Sequence, residues 1–104
     1  MKAGERADAA VRMAYLLRIH SYLDIAIVSM WTVSPRVDIM IGMAEASLRG
    51  DSPGCEDEGP LRKIRALVGE ARGYQADGDS PAAMGRMRVA LDLLAIHIIR
   101  LSGE

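Results

Sequence analysis

The chain has 104 residues and a net charge of −1, half of its residues are apolar, and it has no Phe. A charge this close to zero gives no global attraction to nucleic acid or anionic membranes, and a single Cys excludes an intrachain disulfide. Aliphatic residues and seven Met supply the apolar volume, which favours helices over strands. We expect one all-α domain over residues 1–104, located in the cytoplasm, without a signal peptide or membrane span.

The first predicted helix covers residues 5–30. Its apolar positions alternate spacings of three and four, as in a heptad seam. The seam consists of Ala9, Met13, Leu16, His20, Leu23, Ile27 and Met30. Ser34 followed by Pro35 predicts the start of a second helix over residues 35–49, with Ser34 as N-cap. Gly50 is expected to end that helix in the left-handed conformation.

Residues 50–59 form the only long loop-like segment, rich in Gly, Pro and acidic residues. A third helix over residues 60–76 and a fourth over residues 81–101 follow it. Asp77, Gly78 and Asp79 predict a tight turn between them, and Ser80 with Pro81 repeats the Ser-Pro start. Connections this short favour a four-helix, mostly antiparallel up-and-down bundle of two hairpins.

The fourth helix is apolar almost all the way round, which an ordinary surface helix is not. We therefore predict a homodimer that pairs through this helix, alone or with the first. The candidate interface residues are Met84, Leu91, Leu94, Ile96, Ile98, Ile99 and Leu101. The strip around Val89, Ile96 and Ile99 is the part that neighbouring helices of the same chain are least expected to cover.

The third and fourth helices together resemble one tetratricopeptide-type hairpin. The matching residues are Tyr74, Gly78, Asp79, Ala83, Ala90, Leu91 and Leu93. The sequence departs from that pattern at Leu67 and Glu70, lacks the closing proline, and has no second copy of the repeat. The resemblance implies binding of a peptide or partner without catalysis. An ordinary hairpin with the same turn residues is the alternative, and we assign no family.

Few side chains suggest chemistry. His20 and Asp24 share a helix face, as two metal ligands on a helix would, but they would need His97 as a further ligand. Because this set is small, we predict no metal or cofactor. We interpret both histidines as core or interface residues. Acidic neighbours disfavour a reactive Cys55 thiolate. His97 and Arg100 lie on one side of the fourth helix, where they suit either an anion or the helix dipole.

Two charged groups are candidate binding surfaces. The acidic set comprises Asp51, Glu56, Asp57 and Glu58, and would fit a basic partner unless it is simply a solvated loop. The basic patch comprises Arg62, Arg65 and Arg72, and is too small and too poor in aromatics to predict nucleic-acid binding.

The sequence favours a small non-enzymatic protein that acts by protein–protein binding. A regulator, an adaptor, an antitoxin or an inhibitor of a larger complex, for example a phage-encoded anti-CRISPR type inhibitor, all fit this description. The first alternative is an enzyme with an Arg-lined anion site at a dimer interface, which requires Arg62, Arg65, Arg72, Arg86 or Arg100 to converge in a pocket. A DNA-binding regulator is the second alternative, and it requires an affinity that falls steeply with salt.

Overall fold

A computed structural model describes the backbone of residues 2–50 and 55–103, and the side chains of residues 9–50 and 56–103. Over these ranges the chain is all-α, with four helices and no strand, as the sequence predicts. The helices are α1 (Lys2–Trp31), α2 (Val37–Arg49), α3 (Glu58–Ala76) and α4 (Ser80–Ser102), and a 3₁₀ turn covers Cys55–Asp57. None of them is sufficiently long and apolar to cross a membrane within the described residues.

One hydrophobic core receives side chains from all four helices. The fully buried large residues include Leu16 and Leu23 of α1, Ile41 of α2, Ile64 of α3 and Leu94 of α4. Helix α1 packs against α2 and α4, and α3 packs against α2 and α4, as in a helix bundle. The molecule measures 51 × 22 × 20 Å, so it is elongated along the helices.

Helices α1 and α3 end in the same hydrogen-bond pattern but with different residues at the critical position. After α3, Asp79 N–H donates to the Tyr74 carbonyl and Gly78 N–H to the Gln75 carbonyl, and Gly78 has φ +82°. After α1, Ser34 N–H donates to the Ser29 carbonyl and Val33 N–H to that of Met30. This is the Schellman arrangement, which normally requires Gly at the left-handed position.

Val33 occupies the left-handed position after α1, with φ 50°. A β-branched residue is strained there because its Cβ approaches the backbone. Its side chain is 85% exposed, so little packing compensates the strain. The turn between α1 and α2 therefore carries backbone strain that the turn at Gly78 avoids.

Helix starts differ from their predicted positions by one to three residues. Ser34 does not cap α2, because its Oγ accepts from Arg36 N–H in the preceding turn and the helix begins at Val37. Asp79, not Ser80, caps α4, since its Oδ1 accepts from Ala82 N–H. Helix α3 begins at Glu58, inside the predicted loop.

The expectation of a left-handed Gly50 is wrong. Gly50 has φ −67° and ψ 155°, which is extended backbone. Its carbonyl accepts a hydrogen bond from Tyr15 Oη of α1 at 2.9 Å. The chain thus leaves α2 in an extended direction and is tied to α1 by a side chain.

Replacing Val33 by Gly is expected to raise the free energy of unfolding by about 1 kcal/mol, because it relieves left-handed strain at an exposed position. The reciprocal change, Gly78→Val, places a β-branched side chain at φ +82° and is expected to lower it by about 1–2 kcal/mol. Urea unfolding of both variants beside the wild type measures the two changes. Effects of equal sign would contradict the interpretation.

Candidate functional site

The Asp57 carboxylate is the best-connected polar group at the end of the bundle where α3 begins. It is fully buried. Arg12 of α1 donates to it twice, from Nε to Oδ2 at 3.0 Å and from Nη2 to Oδ1 at 2.9 Å. His97 of α4 has Nε2 2.7 Å from Oδ1. One side chain therefore joins α1, the start of α3 and α4.

The charge state of Asp57 follows from these contacts. Burial alone would raise the pKa of Asp57, because it penalises the charged form. Hydrogen bonds from Arg12 and His97, together with the charge of Arg12, outweigh burial, and the pKa is lowered below its ordinary value of 3.8. Asp57 is therefore ionised at neutral pH, and His97 must donate from Nε2 because a carboxylate has no proton to give.

The sequence predicts Asp57 as part of an acidic set that binds a basic partner or is simply solvated, and His97 as a core or interface residue beside Arg100. Nothing in the spacing of residues 12, 57 and 97 predicts that they meet. The only available signal was chemical: an apolar helix seldom carries a histidine without a polar partner. The structure identifies that partner as Asp57.

The other members of the acidic set are engaged within the chain. Glu56 Oε2 lies 3.0 Å from Arg12 Nη1, and the Glu56 side chain is 67% exposed. Glu58 accepts from Arg65 Nη1 at 2.6 Å, and this hydrogen bond holds the pKa of Glu58 below its ordinary value. Asp51 lies outside the described residues. Binding of a basic partner by this set stays a prediction, in which Glu56 offers the most accessible described carboxylate.

The basic patch divides into engaged and unengaged side chains. Arg65 pairs with Glu58 and also donates from Nε to the Leu48 carbonyl at 2.7 Å, while Arg72 pairs with Glu45. Arg86 is another candidate for an anion site. It pairs with Glu70 and lies over the Tyr74 ring. These three arginines stabilise contacts between helices and do not converge on one pocket. Arg62 makes no ion pair with a described residue and lines a separate cleft.

Arg62 lines a cleft of about 470 Å³ between the start of α3 and the end of α4. The lining residues are Gly59, Pro60, Arg62, Lys63, Leu93, His97 and Arg100. A second cavity of about 390 Å³ lies beyond His97 and is lined by Arg12, Glu56 and Leu101 as well as His97 and Arg100. His97 and Arg100 thus separate two cavities, and we refer to the first as the cationic cleft.

Helix α4 exposes an apolar strip to solvent. Val89, Leu93, Ile96 and Ile99 are 46%, 37%, 45% and 67% exposed. The strip around Val89, Ile96 and Ile99 is therefore open, as the sequence suggested. We call these four residues, with Asp92 and Arg100 between and beside them, the α4 face.

The interface candidates of α4 fall into three groups. Ile96 and Ile99 are exposed, and Leu94 is fully buried in the core. The remaining four are partly buried and pack against the core: Met84, Leu91, Ile98 and Leu101. Leu94 cannot contact a second chain without rearrangement of the bundle, and Ile96 and Ile99 are the most accessible of the seven.

A second apolar surface lies at the turn after α1. Trp31 is 66% exposed, and the strained Val33 is next to it in the turn. Strained residues that the fold retains often belong to functional sites, and Trp is enriched among residues that dominate binding. Further exposed apolar side chains lie along α1, at Val11, Leu17, Ile25 and Val28.

The candidate metal ligands His20, Asp24 and His97 do not form a metal site in the structure. His97 Nε2 is committed to Asp57, while His20 is partly buried and Asp24 exposed on α1. Among the described residues, no three His, Cys, Asp or Glu side chains lie close enough to hold a metal ion. Cys55 begins the 3₁₀ turn, and its side chain lies outside those described.

Comparison with family models, curated proteins and solved structures finds no match to this chain. The tetratricopeptide resemblance therefore gains no support from those comparisons, and function must be argued from the chain's own residues.

Replacing Asp57 by Asn is expected to lower the free energy of unfolding by about 3–5 kcal/mol at pH 7, because Arg12 loses its buried counter-charge. The control is Asp24→Asn, which removes an exposed carboxylate of α1 that makes no ion pair among the described residues and should change stability by less than about 0.5 kcal/mol.

The same contacts set a pH dependence. Because the pKa of Asp57 is lowered on folding, its contribution is complete above the ordinary value of 3.8 and is lost as pH falls through the lower folded value. The difference between wild type and Asp57→Asn should therefore shrink below about pH 4. Urea unfolding at several pH values measures it, and a difference that stays constant down to pH 2 would contradict the ionised, paired Asp57.

Proposed function

We propose that this protein acts by protein–protein binding and has no catalytic activity of its own. The observation that carries the proposal is the α4 face, where four aliphatic side chains remain exposed beside a complete hydrophobic core. Contiguous apolar surface of this kind is typical of interaction sites in small proteins. The exposed Trp31 adds a second apolar surface to the same molecule.

The partner that best fits the α4 face is the α4 face of a second copy of this chain. Asp92 and Arg100 lie four residues before and after Ile96, so the three residues share one side of the helix. Neither Asp92 nor Arg100 makes an ion pair with another described residue. Two α4 helices crossing antiparallel about a twofold axis at Ile96 would place each Asp92 opposite the partner's Arg100.

This arrangement satisfies the requirement of a twofold interface that one patch complement itself. Leu93 and Ile99 lie three residues on either side of Ile96, so they would also face each other across the axis. The apolar contacts supply affinity, and the two ion pairs select the antiparallel register. We therefore propose a homodimer through α4.

Within each chain we propose the antiparallel up-and-down order of helices. It is supported by pairs between α3 and α4 whose numbers run in opposite directions: Asp57 with His97, Glu70 with Arg86, and Gln75 with Ser80. Tyr15 in the middle of α1 contacts Gly50 after the shorter α2, which supports the same order for the first hairpin. Cytoplasmic location is proposed on the ground of the single Cys, which fits a reducing compartment.

A homodimer built this way keeps Trp31 and Val33 available for a different protein. Trp31 ends α1 and Val33 lies in the turn that follows, so both are outside the α4 face. A regulator, an adaptor or an inhibitor of a larger complex, including the anti-CRISPR type, would use such a surface in the same way, and we propose no single target among them.

Pairing through α4 is tested by charge exchange. Asp92→Arg and Arg100→Asp should each weaken the dimer by about fivefold or more, because each places like charges opposite each other twice. The double variant Asp92→Arg/Arg100→Asp should recover most of the affinity, because opposite charges face each other again. Sedimentation velocity over a range of protein concentrations measures the dimer dissociation constant.

Two further variants separate pairing from folding. Ile96→Glu should give a folded monomer with unchanged circular dichroism, whereas Leu94→Asp should unfold the chain, because Leu94 is fully buried. A wild type that is monomeric at high micromolar concentration would overturn the homodimer. Failure of the double variant to recover would overturn the Ile96-centred register.

A further inference from the structure

We infer that the cationic cleft is a binding site for a small oxyanion, a phosphate or carboxylate group. The cleft is bordered by three side chains that carry permanent positive charge: Arg62 and Lys63 from α3, and Arg100 from α4. His97 lies on its wall. Among the residues that the structure describes, no carboxylate lines the cleft.

The distribution of ion pairs in the chain supports this inference. Arg12, Arg72 and Arg86 each contact a carboxylate of another segment, and Arg65 contacts Glu58 of its own helix. Seven described cations make no ion pair among the described residues: Arg18, Arg36, Arg49, Arg62, Lys63, Arg88 and Arg100. Of these, Arg62, Lys63 and Arg100 lie together along the cleft. Because the net charge is −1, this is a local positive field in a protein that is otherwise slightly acidic.

A neighbouring carboxylate that could compete for these cations is already paired. Glu58 lies just before the cleft, and the charge of Arg62 contributes to the lowering of its pKa, after the larger effect of the Arg65 hydrogen bond. Both Glu58 oxygens face Arg65, at 2.6 Å from Nη1 and 3.4 Å from Nη2. Glu58 thus makes its hydrogen bonds to Arg65, and Arg62 makes no ion pair with a described carboxylate.

The geometry of the wall suits an oxyanion in two further ways. A guanidinium such as that of Arg100 presents parallel donors that match two oxygens of a phosphate or carboxylate. His97 is held in place by Asp57 through Nε2, so its ring orientation is fixed before a ligand arrives. The volume of about 470 Å³ admits an oxyanion with a small organic group, which Leu93 and Pro60 would contact.

The test uses two double variants that remove the same charge from different places. Arg62→Gln/Lys63→Gln removes two cations from the cleft, and Arg36→Gln/Arg88→Gln removes two exposed cations that do not line it. Calorimetric titration with inorganic phosphate and, separately, with succinate measures binding at constant ionic strength. Retained circular dichroism shows that each variant is folded.

We expect saturable binding of at least one of the two anions to the wild type, roughly tenfold weaker in the cleft variant and unchanged in the control. The anion that binds more tightly identifies the source of the oxyanion. Absence of saturable binding to the wild type, or an equal loss in both double variants, would overturn the inference. Duplex DNA binding that is lost in the cleft variant, falls steeply with salt and exceeds phosphate affinity would also overturn it, because the cations would then contact a nucleic-acid backbone.

This inference does not depend on the homodimer, although Arg100 and Leu93 belong to both surfaces. In a homodimer Arg100 would also lie opposite the partner's Asp92, so Arg62 and Lys63 are the cations on which the test depends. Sedimentation of the same samples reports pairing separately. A wild type that sediments as a dimer but binds neither anion would contradict the anion site alone. A wild type that binds an anion but sediments as a monomer would contradict the homodimer alone.

Discussion

The Asp57 carboxylate and its two partners hold together the end of the bundle at which the longest interhelical connection arrives. Arg12 and His97 belong to helices at opposite ends of the sequence, and Asp57 lies between them in the chain. A buried ionised carboxylate is costly without partners, so the three helices must meet before its desolvation is compensated. This requirement makes their relative positions more specific than apolar packing alone would.

The same contact explains why α3 starts earlier than its proline suggests. Side chains from two other helices hold Asp57 in place. Glu58 pairs with Arg65, which lies 7 residues further along α3. Acidic residues at the start of a helix also interact favourably with its dipole. The last part of the acidic segment is therefore drawn into regular structure.

Helix α4 has two apolar sides with different roles. One side, with Met87, Ala90 and Leu94, is completely buried within the chain. The other side, around Ile96, is open to solvent and is bordered by charges that have no partner among the described residues. A helix that is apolar all round is thus divided by the fold into a core surface and an outer surface, and only the outer one is available for binding.

The fold was largely predictable from sequence, because heptad spacing in α1 and α4 and the turn residues around Gly78 are local signals with a direct physical cause. The left-handed Val33 was not predictable, because its residue type argues against the conformation that it adopts. The meeting of Arg12, Asp57 and His97 was not predictable either, because it depends on tertiary geometry. The cationic cleft was suggested only in part, by His97 and Arg100 on one side of a helix, since Arg62 and Lys63 come from a different segment.

The shared carboxylate of Asp57 also has a consequence for how this sequence can change over time. Loss of any one of Arg12, Asp57 and His97 leaves another polar group buried with its charge or hydrogen bond unmatched, so single replacements are selected against even where the apolar core would tolerate them. Replacement of all three by apolar residues of similar size removes that penalty. The three positions should therefore diverge as a set, and relatives of this chain should carry either the whole polar group or none of it.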